Sequence, residues 1–66
     1  MEQGIRSVKK YEVEFASTTY REYTVEARNK EEAKEKAFHV LNNDDEVSRA
    51  WKENAVASDV DVLYEN

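Results

Sequence analysis

The chain has 66 residues, 38% of them charged and 39% hydrophobic, with no cysteine, one histidine and a formal net charge of −5. That length allows one domain with a modest core, and without cysteines or a histidine cluster no disulfide or zinc staple can support it; packing must, with dimerisation as one supplement. The negative charge disfavours a nucleic-acid backbone as a direct partner, and no apolar run suits a membrane span or a signal peptide, so the expected location is the cytoplasm.

Residues 1–8 read as a flexible leader and 9–66 as a single domain, with Val8 at the junction. The first strand follows. Tyr11, Val13 and Phe15 alternate with Lys10, Glu12 and Glu14. In the second strand Tyr23, Val25 and Ala27 alternate with Glu22, Thr24 and Glu26. Period-two alternation means one buried face and one wet face. Parity sets the turn. A two-residue loop would pair Val13 with Glu22 and mix the faces. The three-residue loop Ser17-Thr18-Thr19 pairs Val13 with Tyr23 and Tyr11 with Val25. Phe15 then faces Arg21 near the open end of the core. On the wet side Glu14 faces Glu22, Glu12 faces Thr24 and Lys10 faces Glu26.

A helix begins after Asn29, whose side chain can cap it, with Glu32 reaching back. Its buried stripe is expected at Ala33, Ala37, Val40 and Leu41, with Phe38 at the margin. Lys30, Lys34, Glu35 and Lys36 take the solvated side, where Glu32 and Lys36 form an i,i+4 pair. Asn43 and Glu46 repeat the capping pattern, which predicts a second helix over 45–54 with Val47, Ala50, Trp51 and Ala55 on one face. One continuous helix is the alternative, disfavoured by the poor helix formers Asn42-Asn43-Asp44-Asp45. Residues 57–64 close the chain as a third strand, with Val60, Val62 and Tyr64 inward and Asp59, Asp61 and Leu63 outward. The predicted fold is α+β: ββααβ, a mostly antiparallel sheet of order 2-1-3, with one or two helices on one face.

The outer sheet face then gathers Glu12, Glu14, Glu22, Glu26, Asp59 and Asp61. One reading is a solvated face that discourages aggregation. The other is a docking surface for a basic partner protein, with Tyr20 or Trp51 as anchor; mimicry of a nucleic-acid backbone is a special case. Trp51 reads as a core plug or as an exposed anchor. No metal or cofactor is called for, because flat strands lack convergent ligands. His39 reads as a surface or half-buried helical residue. Ser17, Ser48 and Ser58 have no base at a recognisable spacing, and the one glycine makes no phosphate loop. Tyrosines Tyr11, Tyr20, Tyr23 and Tyr64 do not form a stacking platform, since three of them are expected inside. The residues thus point to a non-enzymatic binding module. The runner-up is a self-associating module that forms a homodimer through a sheet edge.

The strand ending in TVEA, the join VEARNKEEAKEKA and the closing SDVDVLYEN together resemble very small ββαβ proteins of phage and mobile elements, of which the DpnD/PcfM-like family is the nearest. The likeness spans residues 10–66, with a longer middle segment around Trp51. The resemblance implies a context rather than a chemistry: an accessory factor in a bacterial host cytoplasm that binds and modulates or inhibits a host protein. It brings no site residues.

Overall fold

The structure, a computed structural model, describes residues 8–64. The leader expected over 1–8 lies outside the described residues except for Val8, which precedes the first strand; Glu65 and Asn66 also lie outside.

Strands β1 (Lys9–Ala16) and β2 (Tyr20–Ala27) form the expected hairpin. The three-residue loop leaves Ala16 opposite Tyr20, and every pair back to Lys9–Ala27 follows without a shift. Helices α1 (Lys30–Asn42) and α2 (Arg49–Asn54) come next, then β3 (Val56–Tyr64). The sheet is antiparallel, in the order β2-β1-β3. β1 is therefore central, and its inner residues Tyr11, Val13 and Phe15 are buried. Phe15 is not at an open end. Phe38 covers it as a tilted ring with centroids 4.7 Å apart, and Tyr23 meets it edge-on at 6.0 Å.

α1 begins as its sequence dictates. Asn29 is extended, and its side-chain oxygen accepts from the Glu32 N–H at 2.8 Å. Glu32 reaches back one residue further than expected, accepting from the Arg28 N–H at 2.6 Å. Lys36 still helps hold the Glu32 carboxylate below its usual range, as the i,i+4 spacing predicts, but the two make no close ion pair. Lys36 Nζ donates instead to the Glu26 carbonyl, and Glu32 pairs with Arg28. The buried stripe is Ala33, Ala37 and Leu41. Val40, expected in it, is 43% exposed. Small residues at strict four-residue spacing let the helix lie close on the sheet, and that narrow seam turns position 40 toward the β2 edge.

The second helix is shorter than expected and starts later. Asn43 closes α1 instead of opening α2, its N–H shared between the carbonyls of His39 and Val40 while the Asp44 N–H returns to the Leu41 carbonyl. Asp44 then holds a turn, with Oδ1 accepting from the Glu46 N–H at 3.0 Å. Ser48 is the cap of α2, accepting from the Trp51 N–H at 3.1 Å. Val47 is buried and Trp51 and Ala55 pack on the core, but Ala50 is exposed.

β3 departs from simple alternation twice. Its register against β1 shifts at Ser58 and at Leu63, one extra residue each time. Strict period two from Val60 would turn Ser58 into the core. The extra residue sets Ala57 opposite Phe15 instead. The second shift makes Tyr64, expected on the inner side, the backbone partner of Lys10; where its side chain lies is outside the described residues.

Candidate functional site

The helices pack on one side of the sheet, so its other side is open. The paired registers divide that open face into cross-strand rows. At the hairpin end the row is Tyr20, Ala16 and Val56. Next comes Glu22, Glu14 and Asp59. Then follow Thr24, Glu12 and Asp61, and last Glu26 and Lys10. Rows succeed one another about every 6.8 Å along the strands, and neighbours within a row stand about 5 Å apart.

All six predicted carboxylates lie in these rows, and Tyr20 stands in the row beside them. Trp51 does not join them. It packs against the core on the helix side, and its Nε1 donates to Thr19 Oγ1 at 3.0 Å, which pins α2 to the hairpin loop. It is a half-buried brace at the rim.

The middle rows carry a strong local charge. Glu14 has an acid directly opposite on each side, Glu22 and Asp59. Ser58, the extra residue of β3, relieves part of this. Its Oγ lies 2.8 Å from Glu14 Oε1 and 3.2 Å from the Glu14 carbonyl, so its one proton can serve either acceptor. Glu12 titrates above the ordinary carboxylate range. The Glu22 carboxylate is the largest cause, followed by partial burial, the hydrogen bond shared with Glu22, and the charges of Asp61 and Glu14. Lys10 at the far row is the cation in register with these acids.

The apolar hairpin-end row was not foreseen. Tyr20 is 70% exposed and Val56 60%, on either side of the half-buried Ala16. Residue types alone could not place Val56 here, because its facing depends on the bulge at Ser58.

A second unforeseen cluster lies on the helix side of the hairpin. Tyr23 donates to Asp44 Oδ2 at 2.7 Å, and Arg21 approaches the same oxygen at 3.5 Å and Glu46 at 3.9 Å. The Tyr23 hydrogen bond is the main cause holding Asp44 below its usual range, with the Glu46 N–H next. Burial, then the Asp44 hydrogen bond, pushes Tyr23 up. The four residues lock the 43–48 connection to β2. The Asx-type turn at Asp44 was the one local signal for it.

The chain matches no protein family, no curated protein and no solved structure. Among the described residues, no group of three or more His, Cys, Asp or Glu is arranged to hold a metal ion, and no helix is long and apolar enough to cross a membrane. His39 is exposed on α1, in a shallow groove beside Val25 and Val40. Of the serines at 17, 48 and 58, Ser48 caps α2, Ser58 meets Glu14, and Ser17 lies in the hairpin loop with its Oγ buried and unpaired.

Proposed function

We propose that this protein is a non-enzymatic binding module that docks a basic partner protein on the open sheet face. The observation that carries the reading is the adjacency of two rows. The acidic row Glu22–Glu14–Asp59 runs directly beside the exposed apolar row Tyr20–Ala16–Val56. Acid rows steer a basic surface into place and reject acidic ones; an aromatic at the rim supplies desolvated contact. Tyr20 is the anchor in this reading, and Trp51 holds the loop that presents it. A partner that normally binds nucleic acid fits the same charge pattern. The resemblance seen in the sequence extends the proposal: a phage or mobile-element accessory factor that modulates or inhibits a host protein in the bacterial cytoplasm.

The test is capture of partners from bacterial lysate by the tagged protein at low and high salt, in parallel with the Glu14→Lys/Glu22→Lys variant. A basic protein retained at low salt, released at high salt and lost with the folded variant supports the reading. Equal retention by both proteins sinks it.

A second reading is self-association through a sheet edge. The β2 edge favours it, since it is regular along its whole length and no strand among the described residues covers it.

A further inference from the structure

We infer that the free edge of β2 pairs antiparallel with β2 of a second copy, about a two-fold axis at Tyr23. The inference rests on the self-association reading and is independent of what docks on the open face.

The two edges of the sheet are built differently. β3 carries an extra residue at Ser58 and another at Leu63, and such bulges interrupt a ladder. Its Asp59 and Asp61 also oppose self-pairing. An axis at Val60 sets Asp59 against Asp61 of the copy, and an axis at either aspartate sets it against itself. β2 has neither obstacle. It pairs with β1 without a shift and contains no proline.

Lys36 shows which backbone groups of β2 face outward. Its Nζ comes from α1 and donates to the Glu26 carbonyl at 2.7 Å. A carbonyl met in this way points away from β1. Alternate residues of an antiparallel strand share a direction, so Glu22 and Thr24 also turn their N–H and C=O groups to the open edge.

Charge then selects the register. An axis at Glu22 sets that carboxylate against its own copy. An axis at Thr24 sets Glu22 against Glu26. An axis at Val25 needs the Glu26 carbonyl that Lys36 already holds, and an axis at Arg21 sets two guanidinium groups face to face. The axis at Tyr23 avoids the three charge conflicts, and Lys36 interferes only at its terminal Tyr20–Glu26 pairs, whereas at Val25 it would block the central ones. Glu22 then faces Thr24 of the second copy and hydrogen-bonds it through the backbone. Arg21 faces Val25, Tyr20 faces Glu26, and Tyr23 faces Tyr23.

The helix side agrees. A two-fold axis normal to the sheet places both α1 helices on the same face, flanking the axis. There Val40, 43% exposed, stands beside Val25 along the β2 edge, an apolar strip that the single copy leaves open. The second copy covers it.

Sedimentation equilibrium of the full chain, from micromolar to millimolar, reads the association. The expected mass rises from 7.7 kDa toward twice that value. Val40→Asp should weaken association by roughly tenfold or more with an unchanged circular dichroism spectrum, since it removes a buried apolar contact. The chain has no native cysteine. Glu22→Cys/Thr24→Cys should therefore form a covalent dimer on mild oxidation, while each single cysteine variant should not. A monomer mass at every concentration overturns self-association altogether. A reversible dimer whose double variant fails to cross-link, or in which Glu22→Cys alone cross-links, overturns the Tyr23 axis and leaves self-association standing.

Discussion

Tyr23 and Asp44 are 21 residues apart in the chain, yet the tyrosine hydroxyl donates to the aspartate Oδ2 at 2.7 Å. This bond joins the middle of β2 to the connection between the helices. It ties a segment with four poor helix formers in succession to the sheet. Asp44 satisfies its own turn through Oδ1 and the sheet through Oδ2.

Tyr23→Phe keeps the ring against Phe15 and removes the hydroxyl, which donates to Asp44 and accepts from Arg21 Nε at 3.4 Å. The expected cost is about 1 kcal/mol at neutral pH, read by urea unfolding. The pH dependence follows from the lowered Asp44 value. A carboxyl held below its unfolded value contributes stability above that value and loses it as pH falls through the folded one. The gap between wild type and Tyr23→Phe should therefore narrow on acidification; a gap independent of pH would show that the bond does not act through the ionised carboxylate.

Glu12→Gln should act in the opposite sense. The folded value of Glu12 is raised, so its contribution is full below the unfolded value and is lost as pH rises through the folded one. The glutamine variant should unfold at a higher temperature than wild type at neutral pH, and the two melting curves should converge in mild acid. Calorimetry at paired pH values checks both limbs.

Leu41→Ala and Val40→Ala separate the real helix seam from the expected one. Leu41 is fully buried, and its truncation should cost about 3 kcal/mol, a large part of the stability of so short a chain. Val40 is exposed in a single copy, so Val40→Ala should cost well under about 1 kcal/mol at concentrations where the protein is monomeric. Denaturant midpoints of the two variants give the ratio.

Ser48→Ala removes the acceptor for the Trp51 N–H and should cost about 1 kcal/mol. Asn43→Ala should cost less. The cap it provides is mainly its backbone N–H, which alanine retains; only the Nδ2 bond to the His39 carbonyl at 2.8 Å is lost. Equal losses would mean that the second helix begins nearer Asn43.

The hairpin was legible in full because its register depends on parity within one contiguous stretch. Once Val13 must face Tyr23, the rows through Glu12, Glu14 and Lys10 follow. The position of β3 beside β1 was legible too, since the strand with the most apolar inner set belongs in the centre. The bulges were not. Asp59, Val60, Asp61 and Val62 alternate faultlessly, and only the pairing with Phe15 shows that Ser58 has been passed over for Ala57. The start of α2 was misplaced because Asn43–Glu46 and Ser48–Trp51 offer competing caps. A sequence does not show that the first asparagine is already engaged in closing α1. The acidic face was read correctly as a set of residues, but its apolar neighbour row needed the bulge to become visible.

The bond between Trp51 Nε1 and Thr19 Oγ1 makes the hairpin tip observable. This is the sole tryptophan of the chain, so its ultraviolet emission reports one place. The indole is half-buried and fixed to the residue before Tyr20. Release of that loop would wet the ring and shift its light to the red. The protein thus carries its own unlabelled optical sensor beside the end of the sheet where a partner would make its aromatic contact.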